Sequence, residues 1–225
     1  MPIQAAEPKI TLASASPRRR ELFALTGWVF SVCSSPVSET PQSGEAPQDV
    51  ARRLALSKAR AARATCPPDT LTLGADTMVV HQREILGKPA CVEEAVAMLE
   101  RLRGQNHSVI TAVAFHHAGA APLVELCETQ VPMRAYHHAE IEEYVRGGSP
   151  LDKAGAYGIQ DPDFHPVDID GFSGCFANVM GLPLCHVVRA FRQLGYEPPE
   201  DVPQRCIRFT GYDCTIYPTI LRGDL

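Results

Sequence analysis

No run of apolar residues in the sequence is long enough to cross a bilayer, and no N-terminal stretch has the charged, apolar and small-residue order of a signal peptide. A cytoplasmic protein is expected. There is no surplus of positive charge: the formal net charge is -5, and the arginines are scattered apart from 18–20 and the group Arg52, Arg53, Arg60 and Arg63. That argues against a general nucleic-acid surface and leaves any basic patch local. The eight cysteines include no C-x-x-C pair, and most fall in apolar runs. They are therefore expected as buried, reduced packing residues, not as a disulfide frame or a zinc site. The histidine pairs His116/His117 and His137/His138 lack a nearby carboxylate cluster to complete a set of metal ligands, so structural or surface roles are expected. No internal repeat or low-complexity segment is present.

What the chain does have is core-forming substance: 225 residues, 45% hydrophobic and 21% charged, enough for one large domain or two closely joined lobes. Residues 1–8 read as a loose leader, 9–195 as the main domain and 196–225 as a tail of unassigned role, with a strand candidate at 206–210. The stretch LASASPRRRE at 12–21 organises the rest. A short apolar run breaks into serines, proline and three arginines, the pattern of a strand feeding a helix with Ser16 as N-cap and Pro17 as first helical residue. The free N–H groups of that first turn, its dipole, Arg18 and Arg19 would converge on one anion-favouring volume. The alternative for this stretch alone is a capped surface helix with solvated arginines.

Taken in order, the apolar patterning predicts strands at 9–13 and 28–33 and helices at 17–26 and 47–64, with a Pro/Ser/Gly-rich loop between the second strand and second helix that carries Glu39. A short strand at 70–73 ends in Gly74-Ala75-Asp76-Thr77, with a further apolar run at 78–80. An acid at a strand end, after a glycine permitting close backbone approach, suits the crevice where α/β sheets bind ligands. Lys88 stands between Gly87 and Pro89. A helix is predicted at 92–103, an antiparallel hairpin at 107–116 and 122–134, a short helix at 138–146, a loop or broken helix over PLDKAGAYGIQ at 150–160, and a last core helix starting at Pro183.

SPRR at the first helix, SET in the long loop, Lys58, GADT, GKP and DKAGAYGIQ together resemble, in order and spacing, the Maf family of nucleoside triphosphate pyrophosphatases, over residues 9–195. The resemblance implies an α/β fold of ITPase-like type, a mixed central sheet flanked by helices in two lobes with a cleft between them, often as a homodimer. It implies hydrolysis of a nucleoside triphosphate between the α and β phosphates with a divalent cation, Mg²⁺ or alternatively Mn²⁺. A triphosphate's charge calls for several fixed cations and a metal. By motif position, Ser14, Ser16, Arg18 and Arg19 would hold phosphate oxygens, with Lys58 and Lys88 completing the clamp. Asp76 would be the general base, the metal's main ligand or both, and Glu39 a second acid on the metal side. Arg18, Thr77 and Gln160 are the positions tied to substrate choice, and a glutamine amide can pair with a pyrimidine's carbonyl and imide edge.

GAYGIQ resembles the members that prefer dTTP and UTP; those acting on 7-methyl-GTP usually carry an acid in place of Gln160. The sequence departs from the family where Asp161-Pro162-Asp163 replaces the usual glycine after the IQ pair, adding negative charge beside the expected base pocket. A nucleotide-binding regulator of septum formation with little turnover is the reading from another class. It does not explain why Asp76, Glu39 and both lysines stand together.

Overall fold

The computed structural model describes residues 7–33 and 36–224; most of the expected leader lies outside the described residues. Strand β1 (Lys9–Ala13) leads through a short loop into α1 (Pro17–Ala24), where Ser16 takes an extended backbone and its hydroxyl accepts from the Arg19 amide, with Pro17 in the first turn. Then follow β2 (Phe30–Val32), α2 (Pro47–Arg63), β3 (Thr70–His81), β4 (Glu84–Leu86), α3 (Val92–Leu102), the hairpin β5 (Asn106–His116) and β6 (Leu123–Pro132), and α4 (His138–Arg146). Two 3₁₀ turns, Ser149–Asp152 and Ala154–Ala156, form the broken segment before α5 (Phe176–Met180), α6 (Leu184–Gln193), α7 (Val202–Thr210) and α8 (Tyr217–Arg222).

The sheet is mixed, in the order β2-β1-β3-β5-β6, with β4 also on β3. β1 runs parallel to β2 and β3, and the β3–β5–β6 pairs are antiparallel. Helices cover both faces. Successive side chains of a strand point to opposite faces, and β3 divides accordingly. Met78 packs with Val50, Leu54, Ala55 and Ala59 of α2, while Leu71, Leu73, Ala75 and Val79 join the larger core with α1, α3 and α6.

Two expectations are corrected. The short strand at 70–73 is one continuous strand through His81, so Asp76 sits inside a strand and not at its end. The polar and glycine residues that break the apolar pattern are held by an unbroken antiparallel ladder with β5 from Thr72 to Val80. The strand candidate at 206–210 is helix α7: Asp201 accepts from the Gln204 amide at 3.2 Å, and this cap nucleates a helix that the alternating residues 206–210 do not reveal by themselves. Helix α5 was not foreseen from sequence.

The register leaves a gap that matters. β1 accompanies β3 only as far as Ala13↔Gly74, and β4 joins the same edge only from Val79↔Leu86. Between them, among the described residues, residues 75–78 of β3 have no partner strand on that side. This is where chain direction switches along one edge, the place where α/β sheets open a crevice.

Candidate active site

Gly74 lets α2 lie directly on β3. A Cβ built there would stand 2.3 Å from the Ala55 carbonyl oxygen and 2.5 Å from the Ala59 nitrogen, so only glycine permits this approach. The contact seats Lys58, next to Ala59, over Asp76. Lys58 Nζ lies 2.5 Å from Asp76 Oδ1 and 2.6 Å from Glu39 Oε1, one ammonium shared by two carboxylates. The two acids respond in opposite directions. Burial raises the pKa of Asp76 above its usual value despite the nearby Lys58 and Arg19. Glu39 is far more exposed, and its hydrogen bond from Lys58 lowers its pKa.

Thr77 points to the other face of β3, where it meets α1 and the end of α5. Arg19 Nη2 donates to Thr77 Oγ1 at 3.0 Å and Arg19 Nε to the Gly181 carbonyl at 2.9 Å. Gly181, at φ 112°, ends α5 in the left-handed region, which turns this carbonyl into the site. Burial pulls the Arg19 pKa below its usual value, and the Asp76 charge acts against that pull. Arg18 faces the same cleft, and its Nη1 lies 3.0 Å from Asp152 Oδ2. Ser14 Oγ accepts from the Ser16 amide at 3.2 Å, bracing the turn before α1. Lys88 is exposed on the rim beyond β4.

These residues line two adjoining cavities. The larger, of about 450 Å³, is bounded by Ser14, Ser16, Glu39, Lys58, Asp76 and Lys88. The smaller, of about 130 Å³, runs to Tyr157, Gln160 and Met180. Ser16, Arg18, Arg19, Thr77, Lys88 and Asp152 border both. The cleft is thus cationic and acidic at the Asp76 end and more apolar at the Gln160 end. All ten sequence-predicted site residues lie on it.

Lys153 and Asp161 are polar groups of this site to which the sequence reading gave no role. Lys153 is buried; its Nζ donates to the Ser149 carbonyl at 2.6 Å and Ser149 Oγ at 2.7 Å, and lies 3.3 Å from Asp161 Oδ2. Asp161, also buried, accepts from Tyr144 Oη and, at 3.1 Å, from Ser149 Oγ. The negative charge expected beside the pocket is therefore taken up by Lys153 and two hydroxyls. Its remaining oxygen, Oδ1, accepts from Gln160 Nε2 at 3.1 Å. A carboxylate only accepts, so the amide nitrogen of Gln160 must face Asp161, and the Gln160 carbonyl oxygen is fixed on the other side. The signal in the sequence was the DKAGAYGIQD run itself, in which a lysine and an aspartate flank the glycines.

The histidine pairs take structural or surface positions: His138 Nδ1 lies 2.7 Å from Glu100 Oε1 at the surface, and His117 Nδ1 lies 3.0 Å from the Ala118 carbonyl. Among the described residues no helix is long and apolar enough to cross a membrane.

A family model described as Maf-like protein matches residues 9–194. A dTTP/UTP pyrophosphatase of Dehalococcoides mccartyi is 42% identical over 192 residues, spanning 85% of this chain and 84% of that protein. One from Geobacter sulfurreducens is 45% identical over 190 residues, 83% of this chain and 97% of its own. One from Thermomicrobium roseum is 41% identical over 210 residues, 93% of this chain and 94% of its own.

Proposed function

The chain belongs to the Maf family, and from that premise we propose that it hydrolyses dTTP and UTP between the α and β phosphates, giving the monophosphate and pyrophosphate, as a cytoplasmic housekeeping enzyme of the nucleotide pool. The observation that carries the reading is the pairing of one lysine with two acids at the gap in the sheet, with Gln160 at the far end of the same cleft. In this reading Arg18, Arg19, Lys88 and the start of α1 hold the phosphate chain. Water forms a bond to the α-phosphorus, the bond from that phosphorus to the bridging oxygen breaks, and Asp76 takes the water's proton. Burial of Asp76 supports that role, because a raised pKa makes a carboxylate a better base near neutrality.

The donor set also fits a small hard cation. Asp76 and Glu39 already face one common positive charge, and Mg²⁺ is usually held by one or two carboxylates with substrate phosphates and waters completing the set. Among the described residues no group of three or more His, Cys, Asp or Glu side chains is placed to hold a metal ion by itself, so in this reading substrate phosphates and waters would supply the remaining ligands. Bound by Asp76 and Glu39, such a cation would neutralise charge on the phosphate oxygens during the displacement. At the base end, the oriented Gln160 offers its carbonyl to the imide N–H of uracil or thymine and its second amide hydrogen to a neighbouring carbonyl.

The test is pyrophosphate release from UTP, dTTP, CTP, ATP, GTP and 7-methyl-GTP, with and without Mg²⁺. Metal-dependent release led by UTP and dTTP is expected. Release led by 7-methyl-GTP would overturn the base assignment, and tight nucleotide binding without turnover would favour the regulator. Pairing into a homodimer belongs to the same proposal and is read by light scattering.

A further inference from the structure

A nucleotide with its phosphates at the Asp76 end of the cleft and its base at the Gln160 end puts its sugar where the two cavities meet. Six residues border both cavities. Arg18, Arg19 and Lys88 are cations, Ser16 caps α1, and the Thr77 hydroxyl is engaged by Arg19 and Thr111. Asp152 is the carboxylate among them.

The chain fixes Asp152 from below. It closes the 3₁₀ turn Ser149–Asp152, which follows Gly148 at φ 75°. The next residue, the buried Lys153, anchors that turn through its Nζ on the Ser149 carbonyl at 2.6 Å. Gly155, at φ 70°, then rests on β3, where a Cβ would stand 2.9 Å from Val79 Cγ1. The Asp152 side chain itself remains 61% exposed, with Oδ2 3.0 Å from Arg18 Nη1 and Oδ1 3.1 Å from Lys153 Nζ. Burial acts to raise its pKa, but the hydrogen bonds and charges of Lys153 and Arg18 outweigh that and hold it below the usual aspartate value. The group is therefore ionised near neutrality and can only accept. A carboxylate has about four acceptor positions, and the two cations leave room for another donor.

Such a group repels a phosphate and suits a neutral donor. At this point in the cleft the nucleotide offers the hydroxyls of its sugar. We propose that Asp152 accepts a hydrogen bond from the 3′-hydroxyl of the bound nucleotide and is the residue that reads its sugar. The inference rests on the reading of the cleft as a site for UTP and dTTP: their sugars differ at the 2′ carbon, so the hydroxyl they share is the 3′. A carboxylate reads ribose hydroxyls in dinucleotide sites by the same chemistry. Because Arg18 holds phosphate in that reading and also pairs with Asp152, one ion pair sets the sugar and the phosphate chain relative to each other.

The test compares kcat/KM for UTP, 2′-deoxy-UTP and 3′-deoxy-UTP in the full chain, in Asp152→Ala and in Asp152→Asn. In the wild type, loss of the 3′-hydroxyl is expected to cost about 10-fold, the scale of one hydrogen bond to a charged group, and loss of the 2′-hydroxyl less than about 2-fold. In Asp152→Ala the 3′ penalty should vanish, because UTP falls to the level of 3′-deoxy-UTP; Asp152→Asn, which keeps an acceptor without its charge, should fall between. A variant that only loosened the turn would lower all three substrates alike and leave the penalty in place, and that result would overturn the inference. So would a lower KM for all three alike, which would make Asp152 a competitor of phosphate for Arg18. Absence of a 3′ penalty in the wild type overturns it even where a variant fails to fold. No turnover of UTP or dTTP by the wild type would instead overturn the reading of the cleft, and this inference with it.

Discussion

Asp76 and Thr77 are consecutive, and a strand sends consecutive side chains to opposite faces. At an ordinary position that would separate them by the thickness of the sheet. Here the missing partner beside residues 75–78 opens the sheet edge, so Asp76 serves one end of a continuous cleft and Thr77 the middle of it. Asp76→Asn keeps the shape and removes the base; the expected result is a loss of at least ~10²-fold in kcat with an unchanged circular dichroism spectrum. A folded variant with wild-type turnover would remove Asp76 from the proton transfer. Because burial raises the Asp76 pKa, and because only its ionised form accepts a proton, kcat/KM falls on the acid side. The midpoint of that fall is expected above the ordinary aspartate value of 3.8, as measured by a pH–rate profile. Asp161→Asn releases the constraint on the Gln160 amide, since asparagine can either donate or accept. The preference for UTP over CTP should drop by about 10-fold, the scale of one hydrogen bond to a charged group; an unchanged ratio would show that Asp161 does not orient the base reader.

Among the elements, β3 and α2 act as a unit. The unit depends on the bare α-carbon of Gly74, which meets backbone atoms of Ala55 and Ala59 that have no freedom to rotate away. Gly74→Ala must push α2 outward. The expected cost is about 1–3 kcal/mol in a urea melt, together with reduced turnover, because Lys58 rides on the displaced helix. Stability and turnover both at wild-type levels would mean that the helix is not held by this contact. Helix α5 has a comparable double part on the other face, ending in the turn whose carbonyl receives Arg19.

For the molecule as a whole, the C-terminal segment is part of the core. Val202 of α7 and Ile220 of α8 are both 1% exposed, and Arg189 of α6 donates to the Ile220 carbonyl at 3.1 Å while its guanidinium pairs with Glu125 of β6. Ile220→Ala, which only removes buried methyl and methylene groups, should cost about 2–5 kcal/mol. It touches nothing in the cleft, so kcat in the remaining folded protein should stay at the wild-type level. Denaturant melts and active-site-normalised assays read the two quantities, and a stability change below ~0.5 kcal/mol would mean that the tail is only laid on the surface.

The sequence alone determined whatever rests on local chemistry and on spacing. Ser16 and Pro17 start α1 because a cap and a first-turn proline act within a few residues, and the hairpin and the apolar stripe of α2 follow from period. The candidate residues were legible for the same reason, as short motifs in a fixed order. What depends on partners far away in the chain was decided by tertiary structure. The continuity of β3 through Gly74 and Asp76 comes from its ladder with β5, and the break that makes the cleft comes from where β1 ends and β4 begins. The neutralised charge of Asp161 comes from Lys153, Tyr144 and Ser149. Cys175, Cys185, Cys206 and Cys214 line one cavity for the same reason: no C-x-x-C pair announces it, and only the docking of α7 and α8 onto α5 and α6 brings them there.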